Sequence, residues 1–410
     1  MKTIVVVKAG WPLPLRLLAY RTYAALGWRV VVVDRLLNPS LRLADVPVST
    51  DLSRPRNAAL LVRERAGSVD GIVTFNDSGL IAAAELAEAL GLPFLSSEVA
   101  RRAVDKIEQR KAFAAAGLEI PEWRALESPD DAADTVAAWG DAIVKPADRA
   151  AGAAVCHATS VDEAVAAYAA AKRESPTGRV LAERFVEGPE VSVESMAVDG
   201  VQSVICATWK TITHGPAFVE LGHSLPFDLG RDERRVFRLA RTAAQALGLE
   251  RGACHAEVKL TPTGPVVLEM NPRVAGDCIV DLIDLAVGVN LYELVGREAL
   301  GETLLREQLE PRRRAAAAIH FRPAEEGVFA GASSPLEASP PDWLVELSVT
   351  AEPGQRLSAP SSNGDRIAYA IATAPSEPQA RARAAEAVAT LEVRVDAPAE
   401  TPRPYVSALR

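Results

Sequence analysis

Apolar runs of strand length alternate with helix-length stretches through residues 1–95. TIVVV (3–7) reads as a buried strand, and LPLRLLAYRTYAALG (13–27) as a helix stopped by Gly27. WRVVVVD (28–34) is the next strand. DGIVTF (70–75) followed by DSGLIAAAELAEALG (77–91) repeats the unit, with Gly91 as the stop. Strands alternating with helices predict a doubly wound parallel sheet. No G-x-G-x-x-G follows the first strand, so no dinucleotide site is assigned.

Further on, Ser96 or Ser97 is placed to cap one helix and Asp105 a second, which Gly117 and Pro121 end. AIVKPAD (142–148) is a short strand closed by Lys145 and Pro146, and SVDEAVAAYAAAKRES (160–175) a helix capped by Ser160. The next segment contains strands around an Asp199-Gly200 turn, then the amphipathic helix DERRVFRLARTAAQALG (232–248). A second hairpin follows over residues 252–271. From about Pro311 the texture changes to short strands, Pro and Gly turns and one late helix, EPQARARAAEAVATL (377–391), which suggests a separate α+β domain.

VLEMNPRVAGD (267–277) starts apolar and then places Glu269, Asn271 and Arg273 at alternate positions, which a strand would turn to one face. Pro262, Thr263 and Gly264 fit a three-residue hairpin loop with Gly264 in the left-handed conformation. That register sets Glu257 directly opposite Glu269. Adjacent carboxylates repel unless a cation lies between them. With the Asn271 oxygen they make a hard, all-oxygen set suited to Mg²⁺, which is usually held by a few carboxylates plus substrate phosphates.

Three lysines add to this set. Lys145 and Lys210 follow apolar strands and Lys106 opens a helix. A single lysine is most often a solvated surface group, but three converging on a Mg²⁺ site suit a triphosphate. In ERFVEGPE (183–190), Glu183 and Glu190 flank an apolar strand whose backbone could bond a purine, with a carboxylate left for ribose hydroxyls; a surface acidic loop fits these residues equally well. In VELGHSLPF (219–227), Glu220 and His223 lie three apart in a Gly/Pro loop, a spacing that could hold an amino group or a substrate carboxylate.

Composition narrows the choices. The chain has 410 residues, enough for two to four domains. Hydrophobic residues make up 49% and charged residues 24%, the balance of a globular protein. A net charge of −9 argues against nucleic acid as a partner. No segment has the length of a membrane span, and the N-terminal apolar run is short for a signal peptide. The four cysteines, Cys156, Cys206, Cys254 and Cys278, lack metal spacing and read as reduced thiols of a cytoplasmic protein.

The order of these motifs, VDKIEQRKAFAAAGLEIP, AIVKPAD, ERFVEGPEVSVE, VELGHSLP, CHAEVKL and LEMNPRVAGD, resembles the ATP-grasp superfamily along nearly the whole chain. Within its biotin-carboxylase-like branch the chain is most similar to the L-amino acid ligases, which make dipeptides in natural product biosynthesis. The resemblance implies an ATP-grasp fold, α/β and α+β, in four parts: a pre-ATP-grasp domain with a doubly wound parallel sheet (1–97), a small lid subdomain (98–188), a large subdomain with the Mg²⁺ and catalytic residues (189–308) and a C-terminal α+β domain (309–410). It implies that Lys106 and Lys145 bind phosphates; that Glu183, Phe185 and Val186 form the adenine hinge; that Glu190 holds ribose; and that Lys210 lies near the terminal phosphates. Glu257, Glu269 and Asn271 match the ligands of Mg²⁺, with Mn²⁺ as a substitute. Arg273 matches the arginine that steadies the oxyanion, and Glu220, His223, Gly276 and Asp277 match the substrate pocket. The phosphate-covering loop departs from the pattern: ADRAAGAAV (147–155) has Gly152 as its one glycine, with Arg149 as a further contributor.

The implied activity is ligation of an amino acid or related carboxylate to an amine through an acyl phosphate, releasing ADP and phosphate. Its partners would be two small molecules, in a homodimeric protein. The alternatives are an ATP-grasp carboxylase using bicarbonate and a non-catalytic nucleotide-binding module.

Overall fold

The computed structural model describes residues 1–8, 16–35, 39–198, 200–213, 217–313 and 315–397. The expected turn residue Asp199, the start of the first expected helix and the chain beyond residue 397 lie outside these. Four parallel strands open the chain: β1 (Thr3–Val7), β2 (Arg29–Asp34), β3 (Val46–Ser49) and β4 (Gly71–Val73), in the order β3-β2-β1-β4. Helix α1 (Leu17–Ala25) joins β1 to β2, α2 (Pro55–Ala66) joins β3 to β4, and α3 (Asp77–Leu90) follows β4. The strand residues are almost all buried Val and Ile, as a sheet covered on both faces requires. Strand β3 and helix α2 add a unit that hydropathy alone did not mark, because α2 carries three arginines on a polar outer face.

Helices α4 (Ser97–Val104) and α5 (Lys106–Ala115) follow, capped by the side chains of Ser96 and Asp105. The lid sheet comprises β5 (Trp123–Leu126), β6 (Ala142–Pro146), β7 (Cys156–Ala158) and β8 (Val180–Glu183), antiparallel in the order β5-β8-β6-β7. Helices α6 (Pro129–Trp139) and α7 (Val161–Glu174) cover one face. This unit has its own apolar core, which includes Leu126, Val136, Val144, Ala167 and Ala182.

The largest sheet begins with β9 (Glu190–Val198), β10 (Val201–Ile212) and β11 (Glu220–Leu225). After helix α8 (Glu233–Leu247) come β12 (Ala253–Thr261) and β13 (Gly264–Asn271), then helices α9 (Ile279–Val287) and α10 (Leu291–Ala299). The C-terminal part adds β14 (Ala316–Pro323), β15 (Gly327–Ser333), β16 (Leu344–Val349), β17 (Arg356–Leu357), β18 (Arg366–Ala374), α11 (Glu377–Ala389) and β19 (Glu392–Asp396). It does not stand apart as the change of texture at Pro311 suggested. Strand β14 pairs with β11, so one antiparallel sheet runs β13-β12-β9-β10-β11-β14-β18-β16 across the expected boundary at residue 308. Strands β17, β15 and β19 form a small separate sheet. One apolar core joins Ile4 and Val73 of the first sheet to Met196, Ile279 and Tyr292, and to Ile319 and Tyr369 at the C-terminal end.

The VKLTPTGPVV hairpin reaches the expected pairing by another route. Thr261 pairs with Gly264, so Pro262 and Thr263 form a two-residue turn, and Gly264 sits at φ +136°, outside the left-handed helical region. A bulge at Leu268 takes up the missing residue, and Glu257 faces Glu269 after all. All four cysteines are free, and burial pushes the thiols of Cys206 and Cys278 well up.

Asp281, in the first turn of α9, has one buried oxygen without a hydrogen-bond partner. Burial pushes its carboxyl up to about 7. A carboxyl raised in the folded state contributes stability that is full below the unfolded value of about 4 and is lost as pH rises through the folded value. Asp281→Asn should therefore gain stability over the wild type between pH 4 and pH 8. Urea unfolding across that window checks it; a difference that does not change with pH would reject the assignment.

Candidate functional site

A cleft between the lid sheet and the β12–β13 end of the large sheet gathers thirteen of the sixteen expected site residues. Lys106, Lys145 and Gly152 reach it from the lid side, with Glu183, Phe185 and Val186 at the end of β8. Glu190, Lys210, Glu220, Glu257, Glu269, Asn271 and Arg273 come from the large sheet. His223 and Asp277 stand behind Glu220, outside the cleft wall. His223 Nε2 is 3.3 Å from Glu220 Oε2 and 3.3 Å from Asp277 Oδ2. Gly276 precedes Asp277 in the chain, and a Cβ there would meet nothing within 4 Å beyond its chain neighbours.

Burial makes the charges answer one another. Lys210 lies two residues before the end of β10, and its Nζ is 2.7 Å from Glu190, 3.3 Å from Glu220 and 3.1 Å from Glu257. Burial opposes its charge, but these three carboxylates hold the ammonium well above its usual range. Lys106 Nζ donates to Glu269 Oε1 (3.0 Å) and to the Arg149 carbonyl (2.7 Å). It too is held above its ordinary value, by Glu269 and Asp77 against burial. Lys145 differs: burial pulls its ammonium down, and Arg110 and Lys106 add to that against the pull of Glu183.

The Glu183 carboxylate is taken by two cations of the protein itself. Lys145 Nζ donates to Oε2 (2.7 Å) and Arg110 Nε to Oε1 (2.6 Å), so its backbone alone is left for a base. Chain residues 184–189 leave the ladder beyond it, and the Phe185 ring stacks on His157 with centroids 4.4 Å apart. The phosphate-covering loop lies across the opening. Gly152 is at φ +70°, and alanines take the same left-handed region at Ala151 and Ala154 (φ +59° and +52°), where glycine is usual. The Arg149 side chain turns aside to Glu174, 3.2 Å away.

Strand β13 ends at Asn271, so Arg273 lies in the turn beyond it, with its N–H on the Asn271 carbonyl (2.9 Å). Asn271 itself fits two ways. With nitrogen forward its amide donates to Glu269 Oε1 (3.1 Å) and Asp77 Oδ1 (3.3 Å). With oxygen forward, three oxygens crowd together, an arrangement that calls for a cation. Glu220 and His223 belong to strand β11, not to a loop. Lys210 and Glu220 sit near each other because β11 pairs with β10 in antiparallel register.

Several residues were not foreseen. Asp77 at the start of α3 pairs with Arg273. Its position just past a parallel strand, where α/β sheets keep their sites, was a usable signal. Arg366 of β18 holds Asp277 with two hydrogen bonds, 2.8 and 2.7 Å, and lies 3.8 Å from the centre of the Phe321 ring. Arg110, wholly buried, and His255, between Glu194 and Glu257, also lacked any local signal.

The family comparisons agree with this geometry. The ATP-grasp N-terminal domain matches residues 20–94, the ATP-grasp domain residues 141–281, and the L-amino acid ligase C-terminal domain 2 residues 319–396. The chain carries ATP-grasp domains in an ATP-grasp fold. More narrowly, its C-terminal domain is of the L-amino acid ligase type. An uncharacterized protein of Sinorhizobium fredii is 28% identical, with 76% of this chain and 65% of that one aligned. A D-alanine–D-alanine ligase of Albidiferax ferrireducens is also 28% identical, over 53% of this chain and 65% of its own length. For the alanine–anticapsin ligase of Bacillus subtilis the figures are 26%, 56% and 53%. The chain thus spans less than two thirds of the length of these relatives. Among solved structures, the L-amino acid ligase from Bacillus licheniformis superposes with a TM-score of 0.83 at 20% identity, over 97% of this chain and 99% of that one. The biotin carboxylase domain of the Hydrogenobacter thermophilus 2-oxoglutarate carboxylase gives 0.73 at 19%, over 96% and 91%. No helix among the described residues is long and apolar enough to cross a membrane.

The buried Arg110–Glu183–Lys145 group generates a test. Glu183→Gln leaves two cations without their counter-charge, and breaking a buried pair in this way costs about 3–5 kcal/mol. A marked fall in the urea midpoint is expected; an unchanged midpoint would mean that Glu183 is not the anchor of this group.

Proposed function

We propose that this protein is an ATP-dependent ligase that joins a carboxylate to an amine through an acyl phosphate, releasing ADP and phosphate. The observation that carries the reading is the facing pair Glu257 and Glu269, set between Lys106 and Lys210 with Arg273 at the same end of the cleft. Phosphoryl transfer needs charge neutralised around the terminal phosphates, and these groups are gathered at one point for that purpose.

Glu257, Glu269 and Asn271 would hold Mg²⁺. The fit rests on the Asn271 amide, whose oxygen can join the Glu269 carboxylate only if a cation lies with them. When bound, the ion supplies charge neutralisation at phosphate oxygens. The protein's own groups do the rest. Lys106 and Lys145 reach phosphates from the lid side, and the backbone after Glu183 meets the base beside the Phe185 ring. Glu190 is placed for ribose hydroxyls. Arg273 offers its cation where negative charge grows as the amine attacks the acyl carbon. The phosphate-covering loop, once closed, keeps the acyl phosphate from water. Glu220, His223, Asp277 and the neighbouring Gly276 form the organic-substrate end. The same reading keeps the cytoplasmic location and the homodimer.

Two experiments test it. A carboxylate substrate labelled with ¹⁸O should deliver one labelled oxygen to the released phosphate when the amine is present. Label in AMP would overturn the mechanism, and carboxylation of a biotin compound from bicarbonate would move the protein to the carboxylase branch. Arg273→Met should lower kcat by about 100- to 1000-fold, the usual loss for one oxyanion-stabilising donor, with little change in ATP affinity. Wild-type turnover in that variant would remove Arg273 from the chemistry.

A further inference from the structure

Among the described residues, Asp77 is the one side chain from residues 1–97 that lines the cleft. Its placement is built into the first domain. Thr74 Oγ1 donates to the Val7 carbonyl (2.8 Å), and Gly79 follows so closely that a Cβ there would fall 2.3 Å from that hydroxyl. Arg16 then ties two loops together. It donates to the Phe75 carbonyl (3.2 Å) beside Asp77 and to the Ala275 carbonyl (3.4 Å) beyond Arg273.

From this anchored turn, Asp77 grips the arginine with both oxygens. Arg273 Nε donates to Oδ1 (2.8 Å) and Nη2 to Oδ2 (2.6 Å), while Nη1 donates to the Val274 carbonyl (3.0 Å). A guanidinium has five N–H donors in a fixed plane. Among the described residues three are taken, and the two left belong to Nη1 and Nη2. A long, rotamer-rich side chain is thereby reduced to one orientation.

We propose that Asp77 is the positioning residue of Arg273: the N-terminal domain reaches into the cleft through this carboxylate to aim the two free N–H groups of the guanidinium at the reacting carbonyl oxygen. The kinetic part of the test rests on the ligase reading; the structural part does not.

The test compares ADP release by the wild type, Asp77→Asn, Arg273→Met and the double variant. Misplacing a catalytic group by about 1 Å can cost about 100-fold, so Asp77→Asn should lower kcat by up to about 100-fold with the ATP KM unchanged. The double variant should be no slower than Arg273→Met, because Asp77 would act only through that arginine. Losses that multiply would overturn the proposal. So would a raised amine KM at wild-type kcat, which would make Asp77 an amine-binding group. Asp77→Glu keeps the charge and moves it by one methylene, so it should be slowed while melting like the wild type. A crystal structure of Asp77→Asn, or of Asp77→Glu if the former does not fold, requires no turnover and should show Arg273 displaced. An unmoved Arg273 would sink the proposal whatever the substrates are, whereas a wild type that releases no ADP with any carboxylate and amine would sink the ligase reading alone.

Discussion

Two carboxylates stand opposite each other on adjacent strands inside the molecule, and much of the site is arranged around their repulsion. Glu257 and Glu269 share a register position, and each has a lysine within 3.1 Å: Lys210 beside the first and Lys106 beside the second. His255 adds a third cation. Burial works against its charge, but Glu194 and Glu257 together raise its imidazole to about 10, so it is charged at neutral pH. These cations come from β10, α5 and β12, and the pair therefore fixes how the lid meets the large sheet. Removing one partner of such a group leaves a buried charge unanswered, which costs far more than the group gains over an apolar replacement.

The part of this that was legible in the sequence is the part set by short-range geometry. Caps at Ser96, Asp105 and Ser160 follow from side chains bonding their own helix starts. The facing of Glu257 and Glu269 was reached from an incorrect loop, since a two-residue turn and a bulge restore the register that a three-residue loop would have given. What escaped was long-range. Asp77 and Arg273 lie 196 positions apart, and Arg366 and Asp277 lie 89 apart. No periodicity links such residues. The wholly buried Arg110 looked like one more polar residue on a helix, because its partner Glu183 is 73 positions away. The break near Pro311 was likewise drawn from texture, and texture does not record that β14 continues the sheet begun by β9.

That continuity bears on how the site is held. The first sheet, the large sheet and the C-terminal strands share one apolar core, so Asp77, Arg273 and Arg366 are mounted on a single packed body. The lid is different. The core of its sheet with α6 and α7 is its own, whereas α5, which carries Lys106 and Arg110, packs through Phe113 with the large sheet and α8. Elements joined by few apolar contacts open at lower free energy than those inside a common core. The groups proposed to aim at the reacting centre thus belong to the shared core, and the loop proposed to cover phosphates to the part with a core of its own.

Charge counting explains why such a cleft suits a metal-bound nucleotide better than a bare one. Seven lysine and arginine side chains and six carboxylates line it. A wall so nearly neutral has little surplus to offset a triphosphate by itself, and a polyanion brought in alone would meet Glu257 and Glu269 at its most charged end. A divalent cation at that end reverses the sign of the encounter. On the proposed reading Glu257 and Glu269 would hold such an ion, which would supply charge neutralisation, and Lys106 and Lys210 stand beside them to face phosphate oxygens. Each lysine distance of about 3 Å then marks an ion pair that can be exchanged for another of the same sign, which keeps the buried charges answered at every stage of filling the site.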